Sequence, residues 1–283
     1  MGRDLLRGLL RSADEGGYAI PAFNYTDIWD MMAIIRAAEE ERAPIMLASN
    51  EVVVKFTSVE ICSALGGAAA ANSSVTVVHH LDHSLSSHIC MACIDHGYPS
   101  VMIDASMCDL EENIRIVREV AEYGHARNVH VEAEIGKIKG KSAEGEFTGG
   151  DFLAEVADAV ALAEATGIDS LAVGIGTAHG FYKSRPEIHF GRLAEINEAI
   201  DIPLVLHGGT GIPEEDIKKA IKYGINKVNV GTVIHTTLMN GMRRELNRLG
   251  DGQMTLDVVK PVIDEMTAVV RGWIKVCMAD GKA

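Results

Sequence analysis

Three observations predict an α/β protein, a (β/α)8 TIM barrel with an additional C-terminal helix. Eight short apolar runs are rich in β-branched residues, amphipathic stretches of helical period alternate with them, and polar residues gather behind the ends of several runs. The runs are 19–23, 45–48, 75–81, 100–103, 129–133, 170–173, 204–206 and 227–230. The helical stretches are 28–42, 58–72, 86–96, 110–127, 152–166, 190–199, 214–223 and, after the last run, 233–248. Such alternation requires a parallel sheet with right-handed crossovers, and eight units close on themselves. Local chemistry marks the boundaries. Asp27 precedes the first helix, Asp109 has Glu112 three residues on as in a capping box, and Pro213 is followed by two acids. Gly97, Gly124, Gly167 and Gly224 stand where helices should end. A doubly wound open sheet is disfavoured because no G-x-G-x-x-G follows the first run and the polar residues sit behind many strands rather than at one switch point. Residues from about 255 to 279 read as the extra helix, and residues 1–283 as a single domain.

The chain carries 26 Lys and Arg against 40 Asp and Glu, a net charge of −14, so sequence-independent nucleic-acid binding is excluded. An anionic ligand must then be held locally, by backbone amides, a metal or a few placed cations. No stretch approaches the ~18 apolar residues of a membrane helix, and the start lacks the apolar core of a secretion signal. The five cysteines form an odd, scattered set, which argues for reduced thiols and a cytoplasmic protein. Cys90 and Cys93 make a lone C-x-x-C in a helical stretch and read as buried thiols.

In a barrel the chemistry sits at the C-terminal ends of the strands. Asp82-His83 follows strand three, Thr177-Ala178-His179-Gly180 follows strand six, and His207-Gly208-Gly209-Thr210-Gly211 follows strand seven. Three neutral imidazoles from separate strands make the three-ligand face of a zinc site with one position open, so His83, His179 and His207 are the predicted ligands. The remaining histidines, including His79, His80, His130 and His235, fall inside strands or on helices and read as structural or surface residues. The segments Gly208 to Gly211 and Asn229-Val230-Gly231-Thr232 stand where barrels hold a phosphate, on backbone amides and a helix N-terminus.

Taken together, Pro21-Ala22-Phe23-Asn24, His80-Leu81-Asp82-His83, Ser100-Val101-Met102-Ile103-Asp104, Val131-Glu132-Ala133-Glu134, Gly176-Thr177-Ala178-His179-Gly180, Leu206-His207-Gly208-Gly209 and the Asn229 segment resemble the class II, metal-dependent ketose-bisphosphate aldolases, which act on fructose and tagatose bisphosphates. The resemblance spans nearly the whole chain. It implies Zn²⁺ held by His83, His179 and His207, with Glu134 able to approach the metal, and it leaves open a monovalent cation such as Na⁺ or K⁺. It makes Asp82 the acid/base. Gly180, Gly208, Thr210, Asn229 and Thr232 match positions around a dihydroxyacetone phosphate half, with Gly209, Val230 and Gly231 beside them in the same two loops. Asn24 and Ser49 match residues lining the substrate pocket. The implied partner is a small phosphorylated sugar. Barrels of this kind associate and the extra helix offers an apolar face for it, so a homodimer or homotetramer is expected, with no nucleic-acid or membrane partner.

The chemistry agrees with that reading. Retro-aldol cleavage leaves an enediolate, and without a Schiff-base lysine a Lewis acid must stabilise its charge. A carboxylate must take the hydroxyl proton at carbon 4, which suits Asp82. A second acid is expected from the loop 136–150, where Glu144 is preferred over Glu146, although the family's Gly-Gly-Glu-Glu spacing is missing. A further departure concerns the family's Asp-Pro-Arg before the last helix, whose arginine grips the distal phosphate. Aligned on Lys260-Pro261, this chain has Leu256 there. The aldehyde half therefore carries a different anionic group such as a sulfonate, a phosphate held elsewhere by Lys139, Lys141 or Arg185, or no charge. Two other classes compete: a zinc-dependent barrel hydrolase and a non-catalytic aldolase partner subunit.

Overall fold

Buried side chains alternate along each strand, so that an apolar set meets the surrounding helices and the other set faces the interior of a closed sheet. A computed structural model describes residues 2–136, 140–142, 145–147, 153–180, 182, 185–249, 251–252 and 254–283, with the backbone alone for 140–142 and 145–147. The barrel strands are β1 (Ile20–Asn24), β2 (Ile45–Asn50), β3 (Val77–Ser84), β4 (Ser100–Ile103), β5 (His130–Ile135), β8 (Ser170–Val173), β9 (Leu204–Leu206) and β10 (Ile225–Val230). They pair in parallel in the order β1-β10-β9-β8-β5-β4-β3-β2, with β2 returning to β1. Between β5 and β8, the loop expected at 136–150 contains a short antiparallel hairpin, β6 (Gly140–Ser142) with β7 (Gly145–Phe147). Glu144 and Lys139 lie outside the described residues.

The predicted caps form where their chemistry places them. Asp27 accepts from the amides of Trp29 and Asp30 and starts α2 (Ile28–Glu41), with Asp30 closing the box. Asp109 accepts from Glu112 N at 2.9 Å and starts α6 (Leu110–His125). Gly167 ends α7 (Val156–Thr166) at φ 64°, a left-handed turn that glycine adopts without steric cost. Gly124 departs from expectation. It lies inside α6, where a side chain would strike Val131 at 2.7 Å, so the helix approaches β5 closely and ends one residue later, at His125.

Two helices were not expected. α1 (Gly2–Gly16) buries Leu6, Leu10 and Ala13, which share one face, against the N-terminal ends of the strands. Arg3 pairs with Asp169 at 2.7 Å, and Asn226 donates to Asp14 at 3.0 Å, so α1 closes the bottom of the barrel. α3 (Glu51–Thr57) is capped by Asn50, whose side chain accepts from Val53 N at 3.0 Å. After β10 come α10 (Thr232–Leu249) and the extra helix, α11 (Thr255–Val276), which packs on α2 and α10. No single helix among the described residues is long and apolar enough to cross a membrane.

Inside the barrel, register places Ala48, His80, Ser100 and His130 at one level, and Asn50 beside Asp82 at the next level up. The only apolar cluster among the described inward residues is Met102, Ala172 and Val205. Barrel interiors are normally layers of branched aliphatics. Here most of the interior is polar and aligned with the C-terminal rim.

Candidate active site

Asp82 and His83 are consecutive, and strict strand alternation would send one of them away from the barrel. The pairing of β3 with β4 shifts register between Leu81 and Ser84, and His83 takes φ 45°. The bulge turns both side chains to one cavity, and the left-handed backbone of a non-glycine residue costs about 1–3 kcal/mol, held by the surrounding structure. His179 lies in the loop after β8 and His207 directly after β9.

The three rings converge. Centroids of His83 and His207 are 4.5 Å apart, His83 and His179 4.8 Å, and His179 and His207 6.3 Å. One nitrogen of each lies within 4.8 Å of the other two, and a second group, His83, Asp104 and Glu134, overlaps it. His83 Nδ1 donates to Asp104 at 2.9 Å and His207 Nε2 to Glu132 at 3.0 Å. That leaves His83 Nε2 and His207 Nδ1 facing each other at 2.7 Å. Two lone pairs repel at that distance, so a proton or a metal ion must lie between them. His179 Nδ1 is buried with no protein partner. Burial opposes charge on His83, but the carboxylates of Asp82, Asp104 and Glu134 outweigh it and raise its pKa to about 10. Burial and the neighbouring rings of His83 and His207 push His179 down to about 3. Four carboxylates, Asp82, Asp104, Glu132 and Glu134, are buried around these rings with one ammonium, Lys227. Surplus negative charge around three imidazoles, which coordinate in their neutral form once the proton between His83 and His207 is displaced, fits a divalent cation.

The Asp82 carboxylate accepts from Asn24 Nδ2 at 2.7 Å and Asn229 Nδ2 at 2.8 Å. Burial would raise its pKa, but His83, His207 and Lys227 prevail and hold it well below the usual carboxylate range. Opposite stand the glycine-rich loops. Gly208 has φ 70°, and a Cβ there would lie 2.3 Å from the carbonyl of Ala178, so only glycine lets the two loops meet. Tyr182 ties them, its hydroxyl accepting from Ala178 N at 2.7 Å and donating to Gly208 O at 3.0 Å. Thr210 Oγ1 accepts from Val233 N at 3.3 Å in the first turn of α10. These elements enclose a cavity of ≈ 240 Å³.

Asn24, Asp82, His83, His179, Gly180 and His207 line this cavity, as do Gly208, Gly209, Thr210, Asn229, Gly231 and Thr232. Ser49 does not. Its register neighbours Ala48 and Asn50 face inward, so Ser49 points outward and bonds to the Tyr98 hydroxyl at 3.0 Å, while Asn50 lines the cavity. Val230 also points outward and is fully buried in the core outside the sheet. Glu134 lies beside the cavity, with His83 and Asp104. Leu256 is 43% exposed in the first turn of α11 and is not among the lining residues. Arg185 is exposed and paired with Glu215 and Asp216, and no Lys or Arg lines the cavity among the described residues.

A family model described as fructose-bisphosphate aldolase class-II matches residues 4–282. The chain belongs to the class II fructose-bisphosphate aldolase family. A fructose-bisphosphate aldolase of Geobacillus stearothermophilus is 38% identical over 284 residues, 98% of each chain. One from Staphylococcus epidermidis is 37% identical over 273 residues, 95% of each. The crystal structure of the YdjI aldolase from Escherichia coli K12 is 32% identical, covers 98% of each chain and superposes with a TM-score of 0.86. Membership of the family supports aldolase activity, a carbon–carbon lyase reaction on phosphorylated sugars.

Within this aldolase barrel, sequence reasoning missed Asn50 and His235, which line the cavity, and Asp104, Glu132 and Lys227, which hold its histidines and floor. His235, read as a structural or surface residue, sits in the first turn of α10 with a buried, unpartnered Nδ1. The signal for Glu132 and Lys227 was present: each is a charged residue within a predicted strand run, in phase with inward neighbours. The Cys90 and Cys93 thiols are free and buried on one helix, as expected, and burial pushes Cys90 up to about 12.

Proposed function

We propose that this protein is a zinc-dependent aldolase that reversibly cleaves a ketose 1-phosphate to dihydroxyacetone phosphate and an aldehyde. The observation that carries the proposal is the three-histidine cluster and Asp82 on one wall of a cavity whose other wall is two glycine-rich loops. His83, His179 and His207 hold the metal. A divalent cation there supplies Lewis-acid stabilisation of the charge that the ketone half gains as the bond between carbons 3 and 4 breaks. Asp82, kept ionised and aimed by Asn24 and Asn229, takes the proton from the carbon-4 hydroxyl and returns it in condensation. Gly180, Gly208, Gly209 and Thr210, with Gly231 and Thr232 at the start of α10, bind the phosphate of the ketone half. Schiff-base chemistry at Lys227 is disfavoured because all three of its protons have buried acceptors, two on Glu132 and one on His80. Glu144 remains our candidate for the acid that protonates the enediolate.

With Leu256 exposed outside the cavity, a second phosphate has no cation to meet among the described lining residues. We therefore favour a ketose 1-phosphate whose distal end is neutral, with the bisphosphate or a sulfonate reaching residues of the 136–150 loop as the alternative. The test is release of dihydroxyacetone phosphate from fructose and tagatose 1-phosphates, their 1,6-bisphosphates and a 6-sulfonated analogue. The expected order has the 1-phosphates above both the bisphosphates and the sulfonated analogue in kcat/KM. A bisphosphate preference of tenfold or more would reject the neutral-end reading. Exposed Met239 and Leu246 on α10, with Met254 and Leu256 at α11, suit a homodimer or homotetramer. A monomer mass by light scattering at micromolar concentration would refute that.

A further inference from the structure

Beneath the imidazole cluster the barrel axis is crossed by a chain of buried polar groups. Lys227 on β10 and Glu132 on β5 both have no exposed surface. Lys227 Nζ donates to Glu132 Oε1 at 2.9 Å, to Oε2 at 2.8 Å and to His80 Nε2 at 3.3 Å. With its Nε2 lone pair engaged, neutral His80 carries its proton on Nδ1 and donates to Ser100 Oγ at 2.8 Å. Glu132 is held from the other side as well. Its Oε2 accepts from the Ser170 hydroxyl at 3.3 Å, and its Oε1 accepts from His207 Nε2 at 3.0 Å.

A buried ion pair is weak evidence for stability, since apolar residues of similar volume often replace one at no loss. Its place on the axis, in contact with a cavity histidine, asks for a different explanation. A neutral imidazole has one N–H and one lone pair, and an ionised carboxylate only accepts. Whichever nitrogen faces Glu132 must therefore carry the proton, and the opposite nitrogen must present the lone pair.

We propose that Lys227 and Glu132 are positioning residues for His207. Lys227 grips both oxygens of Glu132 and fixes its plane, and Glu132 fixes His207 as the Nε2–H tautomer with Nδ1 turned towards His83. The inference rests on the reading of His207 as a metal ligand, because that reading gives the Nδ1 lone pair its purpose. Asp104 stands to His83 in the same relation at the opposite nitrogen, so the two rings present different nitrogens to one point.

The experiment uses the zinc-loaded full chain labelled with ¹⁵N-histidine, with the His207 signals assigned by their loss in His207→Gln. In the wild type, His207 is expected to show a protonated Nε2 and an unprotonated, metal-shifted Nδ1. Zinc affinity, read by chelator competition, is expected to fall about 10–100-fold in Glu132→Gln and in Lys227→Met. The apolar double variant Glu132→Leu/Lys227→Met removes both charges together and is expected to keep the fold while still losing affinity. Wild-type His207 with its proton on Nδ1 would overturn the proposal, and this reading needs no variant to fold. So would a folded double variant that binds zinc like the wild type. If His207→Gln itself binds zinc as tightly as the wild type, the ligand assignment has failed, and the positioning role falls with it.

Discussion

Replacing His83, His179 or His207 by Ala is expected to remove stoichiometric metal from the purified protein and to lower cleavage by more than about 10³-fold, because several kcal/mol of charge stabilisation in the transition state would go with the cation. Metal analysis and initial rates on the same preparations check both halves. His179→Ala is the cleanest of the three. His83 and His207 each bond to a buried carboxylate, Asp104 and Glu132, so truncating either leaves that carboxylate short of a donor and adds a folding cost. Nδ1 of His179 has no protein partner, so its loss leaves no buried carboxylate short of a donor. A His179→Ala protein that keeps its metal and its rate would remove His179 from the ligand set.

Asp82→Ala is expected to separate binding from chemistry. The ring nitrogens are untouched, so the metal stays. The carbon-4 hydroxyl loses its base, so cleavage falls by about 10²–10⁴-fold, the usual contribution of a positioned proton-transfer group. Exchange of the carbon-3 hydrogen of dihydroxyacetone phosphate with solvent belongs to the other acid and should survive. Loss of exchange together with cleavage would mean that Asp82 serves the ketone half instead. Retention of full cleavage would end its role altogether.

The barrel was legible because its signals are local. Strand runs, helical periods and the caps at Asp27 and Asp109 each depend on a few neighbouring residues. So was the convergence of His83, His179 and His207, since the C-terminal ends of all strands share one rim. Three things were not legible. The inward turn of both Asp82 and His83 depends on a bulge between β3 and β4, which only the pairing of two strands reveals. The resemblance implies Ser49 in the pocket, whereas β2 runs to Asn50 and its pairing with β3 sets a phase that turns Asn50 inward and Ser49 outward. The pairing of Glu132 with Lys227 is the third. The two lie 95 residues apart in sequence, so only the closed barrel brings them together. α1 was missed for a different reason. Its signal is local, with Leu6, Leu9, Leu10 and Ala13 recurring at helical spacing, but a helix ahead of the first strand falls outside the strand-helix alternation that organises the rest of the chain.

The most direct measurement is proton exchange at carbon 3 of dihydroxyacetone phosphate in deuterated buffer, followed by NMR, because it needs no knowledge of the aldehyde. Zinc-loaded protein should exchange one of the two hydrogens stereospecifically, chelator-stripped protein should not, and added Zn²⁺ should restore the rate. Protein with stoichiometric zinc that exchanges neither hydrogen, or exchange that persists unchanged after the metal is removed, would contradict the assignment of a metal-dependent aldolase to this cavity.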